Sequence, residues 1–149
     1  CLIVCAPLLF ALLTPRRSAL AYPPYHPPVI QETAGWLEES ELMMSDAPWA
    51  VAWYGRRPCL WLTLDHETSF ASINKEKPIR GLYLTQLTLD RKLVSEMMPV
   101  TEPWGRFAME TLAKQEIPTG FPLKHAFAEW FPNQLFLSDR PRWEKAGKR

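Results

Sequence analysis

Glycine is scarce in this chain, with six residues in 149 against fifteen prolines. Six scattered glycines build neither a G-x-G-x-x-G dinucleotide turn nor a phosphate-cradling loop with its lysine, and no G-x-S-x-G nucleophile elbow occurs. Cysteine is as sparse: three residues do not make a disulfide framework. Cys1 and Cys5 fall in an apolar run, and Cys59 opens a strand-like segment and reads as a buried thiol. An excess of one charge is missing too, since a formal net charge of +1 offers no basic surface to nucleic acid. His26, His66 and His125 are far apart, and no Cys or His pair has metal-ligand spacing, so no metal site or cofactor is expected. "DHE", Asp65 to Glu67, reads as a solvated helix start, because three consecutive residues do not converge on one substrate. What remains is a 47% hydrophobic chain, long enough for one ordinary domain with a core.

The first thirteen residues, "CLIVCAPLLFALL", are wholly apolar and "TPRR" ends them. A bilayer span needs roughly 20 such residues. Residues 1–14 therefore read as the end of a transmembrane helix. Two competing readings are a signal peptide cleaved after "ALA", Ala19 to Ala21, and a buried core helix. Residues 15–28 follow as a proline-rich spacer: in "PPYHPP" each proline fixes φ and lacks a donor, so an extended, semi-rigid linker is expected, with His26 exposed in it. Residues 29–143 carry the periodicities of a folded domain, and 144–149 form a basic tail.

Within that domain helical and strand-like patterns alternate. "VIQETAGWL" places Ile30, Ala34 and Leu37 on one helical face. "ELMMSD" is a short strand, and "PWAVAWYG" a helix with proline at its first position and Gly55 as its stop. "CLWLTL" and "IRGLYLTQLT" are strands. Between them Asp65 caps a helix that turns Phe70 and Ile73 inward. "RKLVSEMM", "PWGRFAMETLAKQ" and "FPLKHAFAEWF" read as three more helices, and "NQLFLS" as the last strand. The alternation predicts a small three-layer α/β domain with a mostly parallel sheet of about four strands, near Leu42–Ser45, Leu60–Leu64, Ile79–Leu87 and Gln134–Leu137.

Twice an apolar strand runs into Ser-Asp, a proline and a tryptophan: "LMMSDAPWAVAWYGRR" and "LFLSDRPRW". In a parallel sheet the strand hands over to a helix at this point. Asp46 and Asp139 are then expected to cap the helices that follow them, with the tryptophans packing each helix start onto the sheet. The functional alternative is that loops at the carboxyl ends of parallel strands bind ligands. Trp49 and Trp53, at i and i+4, share a face beside Arg56 and Arg57. That face is either core or a platform for a sugar ring or lipid phosphate. The candidate binding or interface residues are Ser45, Asp46, Trp49, Trp53, Tyr54 and Arg56.

"SDAPWAVAWYGRRPCLWL", preceded by the Pro-Tyr-rich spacer and an apolar helix end and followed by "LYLT", resembles the tail of bacterial polytopic glycosyltransferases. These are the GT-C-type enzymes related to dolichyl-phosphate-mannose–protein mannosyltransferases. The resemblance covers most of Tyr22 to Thr85, and the remainder loosely. It implies many transmembrane helices followed by an extracytoplasmic α/β domain, whereas Arg16 and Arg17 favour the cytoplasmic side. Catalysis in that family uses acidic residues of an early loop between membrane helices, a loop absent here, so no catalytic residue carries over. The implied role is a non-catalytic accessory domain of an inner-membrane glycosyltransferase. Its partners would be the bilayer, the transmembrane part of the same chain and a polyprenyl-phosphate sugar. The alternative from another class is a free exported α/β binding protein with residues 1–21 as its signal peptide.

Overall fold

In the computed structural model residues 25–89, 103–114, 116–128 and 134–144 are described. Helix α1 spans Pro27–Gly35, and strand β1 Leu42–Ser45. Helix α2, Pro48–Ala50, runs on into a π turn, Val51–Gly55, and then strand β2, Cys59–Trp61. Helix α3 (Thr68–Glu76), strand β3 (Ile79–Leu84) and the short helix α4 (Gln86–Leu89) follow. Helix α5 (Pro103–Lys114), strand β4 (His125–Phe127) and strand β5 (Leu135–Ser138) complete the set.

The strands form one open sheet in the order β2-β1-β3-β5-β4. β1 pairs with β2 and β3 in parallel, whereas β5 runs antiparallel to both β3 and β4. The fold class is α/β, but the sheet is mixed and has five strands, not about four in a mostly parallel arrangement. The fifth strand comes from "FPLKHAFAEWF", whose described part is not a helix. Side chains there alternate: Phe121 and Leu123 are buried, Pro122 and Lys124 exposed, and His125 and Phe127 half-buried around an exposed Ala126. That is a period of two, and it lets the segment pair with β5.

The same alternation divides the core into two layers. Leu42 and Met44 of β1, Leu82 and Leu84 of β3, and Leu135 and Leu137 of β5 face one side, where Phe70 of α3 and Trp104 and Phe107 of α5 cover them. Met43, Tyr83 and Phe136 face the other side, against Ile30 and Ala34 of α1 and Ala50 and Val51. Helices thus cover both faces of the sheet. Asp65 caps α3 as its sequence implies, accepting from the backbone N–H groups of Glu67, Thr68 and Ser69 at 3.0, 2.6 and 3.2 Å. A bond from the Ser69 hydroxyl, together with those from the backbone of Ser69 and Thr68, lowers the pKa of its carboxyl.

The expected spacer, with His26 exposed in it, needs correction at its end, where His26 is half-buried. Pro27 and Pro28 are not spacer but the first residues of α1, where a missing N–H leaves nothing unpaired. His26 directly precedes the helix, and its carbonyl accepts from Ile30 N–H at 3.1 Å. Tyr25 packs against Tyr54 with ring centroids 6.2 Å apart, so the chain enters the domain beside the π turn. The apolar residues 1–14, the spacer to residue 24, "RKLVSEMM" and the end of the tail lie outside the described residues.

Gly55 ends the π turn for a reason other than the one its position suggests. A Cβ at Gly55 would meet Ala34 Cβ at 2.5 Å, so glycine is required by the close approach of the turn to α1. The left-handed stop falls one residue later, on Arg56, at φ 52 and ψ 43. Gly55→Ala is expected to destabilise the domain by about 1–3 kcal/mol through overpacking. Ala34→Gly in that background should restore part of the loss, and Arg56→Gly alone should stabilise by up to about 1 kcal/mol by relieving the left-handed residue. Urea unfolding of the three variants beside wild type checks all three expectations.

Candidate functional site

In a sheet ordered 2-1-3, the chain leaves β1 in one direction and returns across it to β3. The carboxyl ends of β1 and β3 therefore flank the crevice where open α/β sheets take ligands. Asp46 stands at that point. It does not cap the helix that follows it: α2 receives no side-chain cap bond at its start. The carboxylate instead crosses to the neighbouring strand. Its Oδ2 accepts from Thr85 N–H at 2.8 Å and Thr85 Oγ1 at 3.0 Å, and from Thr88 N–H at 3.2 Å and Thr88 Oγ1 at 2.9 Å. Asp46 is a cap, but of α4. Ser45 Oγ meets the local need and accepts from Ala47 N–H at 3.1 Å. The crevice is filled by the protein's own side chain.

Both residues of this turn are buried. Burial raises the pKa of Asp46, against the hydrogen bonds from Thr85 and Thr88 that favour its charged form. Cys59 lies nearby, half-buried, and burial together with the charge of Asp46 pushes its thiol up to about 12. An unreactive thiol fits the reading of Cys59 from sequence.

The second Ser-Asp turn behaves differently and sits at the other end of the sheet, because β5 is antiparallel. Arg142, a residue given no role by the sequence, is buried there. Its guanidinium donates to both oxygens of Glu41, Nη1 to Oε2 at 2.6 Å and Nη2 to Oε1 at 2.8 Å. Nη2 and Nε also reach Asp139 Oδ1 at 2.8 and 3.1 Å, and Nε reaches Ser138 Oγ at 2.9 Å. Arg80, at a register shift where β3 carries an extra residue against β1, donates to Asp139 Oδ2 at 3.2 Å. Asp139 is thus an anchor for arginines rather than a helix cap. Burial raises the carboxyls of Glu41 and Asp139, but the bonds and charge of Arg142 outweigh it and hold both below their ordinary values. Trp143 does pack inward as expected, against Trp36 and Phe127 at 5.9 and 5.3 Å.

The remaining candidates face outward. Trp49 is 48% exposed and Trp53 79%, so α2 and the π turn each present a tryptophan to solvent rather than to the core. Two residues missed by sequence reasoning join them. Trp61, at the end of the edge strand β2, is 61% exposed with its ring 5.1 Å from that of Trp49, and Leu64 is 88% exposed. Alternation along "CLWLTL" could have found Trp61, because it falls opposite the inward Leu60 and Leu62. Tyr54 is half-buried against Tyr25. Arg56 and Arg57 separate: Arg57 donates to the Leu37 carbonyl through Nε and Nη2 at 3.2 and 3.0 Å, and Arg56 is exposed. Among the described residues the Arg56 side chain has no hydrogen-bond or ion-pair partner.

No group of three or more potential metal ligands occurs among the described residues, and no helix among them is long and apolar enough to cross a membrane. A cleft of about 480 Å3 opens beside α3, between His66, Asn74 and Lys75 on one side and Thr119 and Phe121 on the other. No protein-family model, curated protein or solved structure matches this chain.

Serine at position 46 is too short to reach Thr85 and Thr88, so it cannot replace the carboxylate as it could in a local cap. Asp46→Ser is expected to cost about 3 kcal/mol, nearly as much as Asp46→Ala, by stranding the buried Thr85 N–H and removing the bonds to both threonine hydroxyls. Asp46→Asn keeps an acceptor in place and should cost much less. Because the folded pKa of Asp46 is raised, its contribution is fully present below the unfolded pKa of about 3.9 and is lost as pH rises through the folded value. The stability gap between wild type and Asp46→Asn should therefore narrow as pH rises. Arg142→Leu should cost about 3 kcal/mol at neutral pH by leaving two carboxylates uncompensated. That difference should shrink as pH falls through the lowered pKa values of Glu41 and Asp139. Urea titrations across pH measure each of these expectations.

Proposed function

We propose that this domain is a non-catalytic interaction module, the accessory domain of a membrane glycosyltransferase that uses a polyprenyl-phosphate sugar donor. One observation carries the reading. The crevice at the carboxyl ends of β1 and β3 is closed by Asp46, while the surface beside it presents Trp49, Trp53 and Trp61. A carboxylate oxygen already accepting four hydrogen bonds is poorly placed to take up a substrate proton. Exposed indoles suit binding, because they offer large apolar area with a polar edge. The segment that resembles the glycosyltransferase tail, Ser45 to Leu62, is the one that builds both features. In this reading the catalytic acids lie elsewhere in the intact protein, towards its membrane-embedded part, and the domain sits on the extracytoplasmic side of the inner membrane.

The cleft beside α3 favours a second reading, a free exported binding protein. Its mature form would begin at Tyr22, so the mass of the protein recovered from cells separates the two.

The functional test uses membranes that carry the intact protein, with transfer measured from a labelled polyprenyl-phosphate sugar. Asp46→Asn is expected to leave transfer intact, and Trp49→Ser with Trp53→Ser to lower it several-fold at unchanged protein level. Loss of transfer in a folded Asp46→Asn protein would make Asp46 a functional acid and end the accessory reading.

A further inference from the structure

The surface bearing Trp49, Trp53 and Trp61 has a physical character of its own. Tryptophan is the residue most at home in the interfacial layer of a bilayer, where its ring meets acyl chains and its N–H meets water. Trp49 and Trp61 touch, so their indoles form one surface drawn from α2 and from the edge strand β2. Trp53, four residues on from Trp49, is exposed as well, and all three indoles are about half exposed or more. Arg56 stands on the same π turn, exposed and without an ion-pair partner among the described residues. A guanidinium so placed suits lipid phosphate. Asp65 and Glu67 follow Leu64 in sequence; Asp65 is engaged in capping α3, and Glu67 lies 3.8 Å from His66.

The course of the chain decides which partner fits this face. Tyr25, where the described chain begins, rests against Tyr54, and Tyr54 is the neighbour of Trp53. Upstream, residues 1–13 are wholly apolar. From residue 13 to Tyr25 a fully extended chain reaches roughly 40 Å at most, at about 3.3–3.6 Å per residue. A bilayer holding the apolar run would therefore lie within roughly 40 Å of Tyr25, which rests beside the π turn.

We propose that this tryptophan face rests in the interfacial layer of the bilayer, so that the domain lies on the membrane surface with β2 toward the lipid and the β4 edge away from it. The proposal rests on the membrane-anchored reading above and adds the orientation of the domain. It also accounts for an edge strand whose outer side carries indoles instead of the charges that usually protect such edges.

The experiment uses the full chain reconstituted with phosphatidylcholine vesicles, half of them prepared with lipid brominated near the headgroup end of its acyl chains. Vesicle flotation reports the anchor, and bromine quenching of tryptophan emission reports the face. Substituting Trp49→Phe, Trp53→Phe and Trp61→Phe together leaves the face apolar but removes its fluorescence. These positions are exposed, so the melting temperature should be unchanged; of the four tryptophans that remain, Trp104 is a buried indole that lipid does not reach. The expected result is that both proteins float and the triple variant loses most of the quenchable emission. Flotation with equal quenching in the two proteins would overturn the proposal while leaving the anchor in place. Concentration-dependent self-association that removes quenching in wild type would assign the face to a second copy and overturn it equally. Failure to float would overturn both the proposal and the membrane reading on which it rests.

Discussion

A single carboxylate oxygen joins the two central strands at their carboxyl ends, because Asp46 Oδ2 takes bonds from the backbone and side chain of both Thr85 and Thr88. The arrangement follows from strand order. With β2 and β3 on either side of β1, their connections leave in opposite directions and a gap opens between the β1 and β3 turns. An acidic residue at the end of β1 fills that gap when the neighbouring turn offers two threonines in the sequence T-Q-L-T. The bonds orient α4, whose Leu89 then enters the core beside Leu84. They also remove Asp46 from any chemistry with solvent.

A second polar tie holds the opposite end. Arg142 reaches back from beyond β5 to Glu41 just before β1, so the last described turn is fastened to the entry of the central strand. A buried guanidinium between two carboxylates carries a large desolvation penalty, and paired, bidentate geometry is what offsets it. With one tie at each end of the sheet and apolar layers on both faces, the interior polar groups are largely accounted for. At the surface Trp49, Trp53 and Trp61 stand exposed. This division, polar fasteners within and indoles without, is the physical basis for reading the domain as a binding module.

Much of the fold was legible because it depends on local pattern. β1 appears at Leu42–Ser45 as its residues dictate, α3 begins at the Asp65 cap, and α5 starts at Pro103. The miss at β4 came from a helical reading of "FPLKHAFAEWF", although Phe121, Leu123, His125 and Phe127 also fit a period of two and Pro122 weakens a helix. The antiparallel turn of the sheet follows from that strand. The candidate residues were legible as a group but not by role, because role depends on partners distant in sequence. Asp46 finds its donors 39 and 42 residues away, and Arg142 finds Glu41 101 residues away. Trp49 and Trp53 share a helical face as their spacing implies. Whether that face looks in or out is set by Gly55, whose contact with Ala34 turns the other side of the segment toward α1.

The claim that the Ser-Asp turn is an internal fastener is tested most directly by hydrogen exchange at the Thr85 amide. Residue 85 lies beyond the end of β3 and before the first turn of α4, and its N–H donates to Asp46. Exchange as slow as that of the β3 and β5 amides, falling to loop-like rates in Asp46→Ala while β5 stays protected, is the expected result. Rapid exchange of Thr85 in the wild-type domain would contradict it and return Asp46 to the surface as a free carboxylate.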